Sequence, residues 1–197
     1  NKPMMNLREH ILRTLRGEDT GRVPWNVYGW LLPNTAAARR LCSLGLSRME
    51  TRAIFRPVYD SSITIREERF TRAERPYFRV TVDTPLGSLW EEATLDPSYG
   101  SRWITKFLIG GPQDYPAAEY FFRHTRFEPE YEPWLQADRA LGPAGFVIGE
   151  IMPIPVMRLI VSYLGVDGFL EALVDSPAWL DTLLDALDAH YDRHIEL

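Results

Sequence analysis

The chain has 197 residues, 45% of them hydrophobic and 25% charged, the balance of a soluble globular protein with enough apolar material for a real core. Its formal net charge of -5 conceals a split: residues 1–110 carry 17 Lys and Arg against 12 Asp and Glu, and residues 111–197 carry 5 against 15. The arginines are scattered and form no basic run, so no nucleic-acid partner is expected; solvated faces, internal ion pairs and a few cations for an anionic ligand remain.

The single cysteine, Cys42, rules out an intrachain disulfide and a cysteine-based zinc site, suits a reducing compartment and reads as a small buried side chain. The longest apolar run, Phe146 to Leu164, contains Glu150, Arg158 and two prolines, each expensive in the centre of a bilayer. The opening "NKPMMNLREH" lacks the apolar core of a signal peptide. No membrane partner is expected, and the cytoplasm is the expected location.

In chain order, "NLREHILRTLRGE" places Leu7, Ile11 and Leu15 on one helical face, with Asn6 as cap, Glu9 three residues on and Gly17 as the stop. "GRVPWNVYGWLLP" predicts a strand over Val23 to Val27, and a helix beginning near Asn34. Between Val58 and Leu95, "SITIREERF", "PYFRVTV" and "GSLWEEAT" alternate apolar and polar residues. "TRAER" and "DTPLG" separate them, so they read as an antiparallel meander with one solvated face. "RWITKFLI" reads as one more extended piece. Helices are expected through "GGPQDYPAAEYFFRH" and "EPEYEPWLQADRALG", then a short buried strand over Phe146 to Ile151 and a helix over Pro155 to Leu164 that continues through "GVDGFLEALVD". The last helix has Ser176 as cap, Pro177 in its first turn and an apolar stripe of Leu180, Leu183, Leu184, Leu187 and Tyr191. Strands that lead through turns into helices argue for a parallel α/β architecture, with the meander over residues 58–95 as an insertion or lid in a single domain.

The segments "LREHILRTLRGEDTGRVPWNVY", "DTPLGSLWEE", "GGPQDYPAAEYFFRHTRFEPEYEPWLQADRALG" and "GFVIGEIMPIPVMRLIVSYLG" occur in the order seen in proteins similar to uroporphyrinogen decarboxylase. More closely, the chain resembles the branch of that superfamily containing corrinoid-dependent methyltransferases and O-demethylases. The resemblance implies the N-terminal part of a (β/α)8 barrel, with the later strands absent because such a barrel needs about 250 residues. It further implies a small methylated donor as substrate and a corrinoid carried by a partner protein, with zinc possible only in a later part of the barrel. Decarboxylases of the superfamily carry an arginine-rich signature ending in Leu-Pro after the first strand. Here the comparable stretch is "NVYGWLLPN", which keeps Leu32-Pro33 and supplies no cation, so a tetrapyrrole substrate is the weaker implication. A third reading is an inactive partial barrel that binds or assembles, because unpaired strand edges invite pairing between copies as a homo-oligomer.

A barrel's site lies at the carboxyl ends of its strands, which puts Asn26, Tyr28 and Trp30 near a mouth where they could hydrogen-bond and stack on a flat ligand. Packing against a neighbouring strand is the alternative. Glu150 is the candidate catalytic residue: near the end of a buried strand, its raised pKa would make it a proton donor to a leaving oxygen or nitrogen. A structural salt bridge is its rival. Met152, in the Met-Pro-Ile-Pro stretch that follows, is placed with the substrate-binding residues. His190 and His194, at i and i+4 in "HYDRH", have a metal-compatible spacing, set against an exposed polar face made acidic by Asp181, Asp185, Asp188 and Asp192. Glu91 and Glu92 read as a solvated hairpin face.

Overall fold

The computed structural model describes residues 6–96 and 101–196, so the first five residues of the stretch read for a leader lie outside it. From the amino end, α1 (Leu7–Leu15) leads to β1 (Trp25–Tyr28), a 3-10 turn (Gly29–Leu31), α2 (Ala36–Ser43), β2 (Leu46–Ala53) and β3 (Phe55–Tyr59). Four strands follow: β4 (Thr64–Arg72), β5 (Arg75–Thr84), β6 (Gly87–Leu95) and β7 (Arg102–Lys106). Next come α3 (Tyr115–Arg123), β8 (Thr125–Pro129), α4 (Glu132–Leu141) and β9 (Gly145–Glu150). Last are α5 (Pro155–Arg158), a wide π turn (Leu159–Leu164), α6 (Gly165–Asp175) and α7 (Pro177–Ile195). The result is a mixed α/β structure in which, among the described residues, no sheet closes into a barrel, a closure that a partial barrel would not show. No helix among the described residues is long and apolar enough to cross a membrane.

Two compact units emerge, one of residues up to Arg56 with Pro129–Ile151, the other of Pro57–Glu128 with Met152–Leu197. The first is built on a parallel sheet of order β1-β2-β9. Its α1 starts where the sequence places it, with the Glu9 amide donating to Asn6 Oδ1 at 2.7 Å. The first strand starts at Trp25 rather than Val23, because Pro24 has no amide to donate and pairing begins at Trp25 with Leu46. Side chains level in register share a face. Leu46 and Arg48 lie on the face where they border a cavity with Leu7, Ala38 and Ala144, so the helices cover that side of the sheet. The last strand is not the buried strand expected, since it pairs on one side only and Ile148 stays 40% exposed. At Gly145 an added methyl would lie 1.8 Å from the Arg48 carbonyl oxygen, so β2 and β9 meet there backbone to backbone.

The second unit holds the antiparallel sheet β4-β5-β6-β7 and the main core. The register sets Ile65, Val82 and Leu89 side by side on one face, where Val82 and Leu89 are buried with Ala118 and Phe122 of α3 and Leu183 and Leu187 of α7. Full burial of each such aliphatic side chain contributes about 1.5–3 kcal/mol. The β4–β5 turn is a tight one, with both Ala73 and Glu74 at positive φ, 48° and 62°, without the Asn or Gly such a turn favours. On the opposite face, Glu92 is only 5% exposed beneath Arg72 and Arg79, which donate to its oxygens at 2.9–3.0 Å. The Arg79 guanidinium also sits 4.7 Å from the Trp90 ring centre, as does the Lys106 ammonium at 4.2 Å. Glu92 is therefore not the solvated residue its neighbours suggest, and its two cations hold its pKa below the usual carboxylate range.

Two further elements depart from expectation. Strand β8 falls in a segment read as helical, where Thr125 is buried and its hydroxyl donates to the Phe121 carbonyl at 2.7 Å. Ser176 occupies the cap position of α7 but caps with its backbone, its carbonyl accepting from the Trp179 and Leu180 amides while its hydroxyl makes no capping bond.

Candidate functional site

The carboxyl ends of β1, β2 and β9 point the same way, as parallel pairing requires, and carry most of the residues that sequence singles out. By register, Asn26, Tyr28 and Glu150 project from one face of the sheet, with Met49, Thr51, Phe146 and Ile148 between them. This is the face opposite the helices. Asn26, Tyr28 and Glu150 are all exposed on it. Trp30, in the turn after β1, is exposed too, and its ring lies 6.1 Å from that of Tyr28 at an interplanar angle of 34°. The pair is a tilted aromatic contact with free ring surface, a platform on which a flat group can stack.

The separation between these groups limits what they can do together. Tyr28 is level with Met49 and Glu150 with Ala53, so they lie about 13 Å apart along the strands and about 10 Å across them. A ligand would have to span roughly 16 Å to touch both at once. Met152 belongs to the other unit and is half-buried.

Glu150 departs from expectation in one respect that matters chemically. The carboxylate is exposed, so the burial that would make it a proton donor is absent in the free chain. The physical reason is the edge position of β9, which leaves its end without a neighbour on one side. No carboxylate partner or arginine salt bridge holds it either, so the structural rival is also without support among the described residues.

A residue that sequence did not single out lies at the same end of the sheet. Glu50 projects from the helix-side face, accepts from Arg52 at 2.8 Å, and would lie 3.2 Å from a methyl group added at Gly29. Gly29 therefore lets the turn after β1 pass directly over the Glu50 side chain. Nothing in "SRMETRA" marks that closeness, because it depends on the pairing of two strands distant in sequence.

The histidine pair sits elsewhere. His190 and His194 are each 4% exposed, on the buried side of α7 rather than on its acidic face. The Phe127 ring lies 4.6 Å from the first and 5.0 Å from the second, centre to centre. His190 Nδ1 shares the Phe122 carbonyl with the Arg193 guanidinium, at 3.2 and 2.9 Å. Burial first, then Arg193, Arg158 and His194, push its pKa down to about 4. The pair is a neutral, packed element of the core, and no group of three or more His, Cys, Asp or Glu among the described residues could hold a metal ion. His10 is likewise buried, tied to Thr20 Oγ1 at 2.9 Å and the Arg22 carbonyl at 3.0 Å. Cys42 is half-buried and unpaired.

Comparison with family models, with characterised proteins and with solved structures returned no match.

Proposed function

We propose that the chain is part of a uroporphyrinogen decarboxylase-like barrel of the corrinoid-dependent methyltransferase and O-demethylase branch, acting on a small methylated substrate. The observation that carries this reading is the parallel sheet β1-β2-β9, covered by helices on one face and bearing on the other Tyr28 and Glu150, each the last residue of its own strand, with Asn26 beside them on that face. Parallel strands with helices outside and polar groups at their carboxyl ends are the arrangement in which barrel enzymes bind substrate. Two edges, at β1 and β9, are open to further strands.

In this reading Tyr28 and Trp30 hold the flat part of the donor, and Asn26 supplies a hydrogen bond that orients it. When the methyl group leaves as a cation equivalent, the oxygen or nitrogen left behind needs a proton. Glu150 supplies it once water is excluded, to a donor extended over the roughly 16 Å between it and Tyr28. Docking of a carrier protein over the strand ends would provide that exclusion and would bring the acceptor at the same moment. The corrinoid, which supplies the methyl-accepting metal centre, belongs to that partner.

The test is to incubate the protein with reduced free cobalamin, then with a corrinoid carrier, in the presence of methoxylated aromatic or methylamine donors, and to follow the corrinoid absorbance. Methylation that depends on the protein and falls about 100-fold in Glu150→Gln supports the reading. No methylation with any donor, or turnover of a porphyrinogen instead, overturns it.

A further inference from the structure

The antiparallel sheet of the second unit uses only part of its inner face for the core. Ile65, Val82 and Leu89 pack with the helices, but the same face continues past them toward the β4–β5 turn. There it forms an open groove of about 700 Å3. The register puts Glu67 beside Val80, Arg69 beside Phe78 and Leu95 beside Arg102, all on this face. Phe78, Val80 and Leu95 make an apolar floor, while Glu67, Arg69 and Arg102 stand at its edges.

One cation at the groove edge is left without an ion pair among the described residues. Arg102 pairs with Glu91. Arg69, two residues from Glu67 on the same face, has no ion pair among the described residues. A ligand carrying a negative group is favoured at the Arg69 side. The Arg102 guanidinium lies 5.0 Å from the Phe78 ring centre, so the floor presents a ring and a planar cation together, both surfaces on which another flat group stacks. The volume falls within the range of small-molecule sites and exceeds what a single aliphatic chain fills.

We infer that this groove is a binding site for a planar aromatic carboxylate, whose ring system lies on Phe78 and Val80 and whose carboxylate meets Arg69. The site is independent of the methyl-transfer reading and is built wholly within the second unit.

Calorimetric titration with 2-naphthoate tests it. A ligand of that size seated on an apolar floor with one charged contact should bind with a Kd on the order of 0.1–1 mM. Three comparisons accompany it: 2-naphthalenemethanol, which lacks the charge; decanoate, which lacks the plane; and the variants Arg69→Gln and Arg75→Gln. Arg75 lies on the opposite face of the sheet and serves as the control for general charge. The expected result is about tenfold weaker binding of the alcohol and of naphthoate to Arg69→Gln, with Arg75→Gln unchanged. Because Arg69 is exposed, its variant should keep the melting temperature of the parent, and Val80→Phe, which fills the floor, should abolish binding in a folded protein. Equal binding by the alcohol, tighter binding by decanoate, equal losses in the two arginine variants, or no binding at all would each overturn the assignment.

Discussion

The buried histidine of α7 makes the stability of the second unit depend on pH in a way that one substitution can isolate. In the folded chain His190 titrates at about 4, against about 6.5 when unfolded, so between these values only the unfolded chain takes up the proton. Stability is therefore full above pH 6.5 and falls as the pH drops through the window. Integrating the proton uptake gives about 2 kcal/mol lost between pH 7.5 and pH 5, and about 3 kcal/mol by pH 4. His194 shifts in the same direction by burial and adds to the slope. The perturbation is His190→Gln, which keeps an amide to donate to the Phe122 carbonyl and cannot titrate. Urea unfolding at pH 7.5 and 5.0, in parent and variant, reads the result, and stopping at pH 5 keeps most carboxylate titration out of the comparison. The variant should lose about 2 kcal/mol less than the parent across that step. Equal losses would refute the buried, neutral state of His190.

Other perturbations follow from single contacts. Gly165→Ala should destabilise the second unit by at least 2 kcal/mol in thermal or urea unfolding, because Gly165 has φ +75° and an added methyl would lie 2.5 Å from Phe107 Cε2. Leu89→Ala removes a side chain that is 1% exposed and should cost about 2–4 kcal/mol with no change in far-ultraviolet circular dichroism. Replacing Ala73 by Asn together with Glu74 by Gly should raise stability by about 1–2 kcal/mol, since both positions already hold positive φ; a loss on chemical unfolding would argue against that turn. Glu92→Gln should lower the melting temperature, and adding Arg72→Gln to it should cost less than the two separate losses combined, because the charges act as one cluster.

What could be read from sequence was whatever repeats locally. The meander was legible because β4, β5 and β6 alternate with period two and carry their turn residues between them, and α1 because Asn6 and Gly17 bracket one apolar stripe. Strand β8 was not, since five residues between two helices give no period to detect. The histidines were misplaced for a different reason. His190 and His194 continue the phase of Leu183 and Leu187, so their burial was written in the spacing, but acidic neighbours and residue type pointed to solvent. Glu150 shows the opposite limit. An apolar run cannot say whether its strand will be central or at an edge, and the exposure of the carboxylate follows from that edge position and from its place on the face opposite the helices.

The central strand of the parallel sheet bears most directly on function. A parallel strand buried on both faces normally reads as a continuous run of Val, Ile and Leu. Strand β2 reads Leu-Ser-Arg-Met-Glu-Thr-Arg-Ala: it places Arg48, Glu50 and Arg52 on the helix side and Ser47, Met49 and Thr51 on the other. Only near its start, at Leu46 and Ser47, is it fully buried. If the face bearing Tyr28 and Glu150 were meant solely for packing, polar groups on the middle strand would have to find hydrogen bonds within an apolar layer. Ser47 does so, donating to the Trp25 carbonyl at 3.1 Å, and it lies at the amino end of the strand. Thr51 lies toward the carboxyl end, level with Ile148 and two residues short of Glu150 along the sheet. Polarity that is satisfied internally at one end of the strand and left open at the other matches a sheet whose carboxyl end meets a ligand. That asymmetry accords with the proposal that the carboxyl end of the sheet binds a ligand.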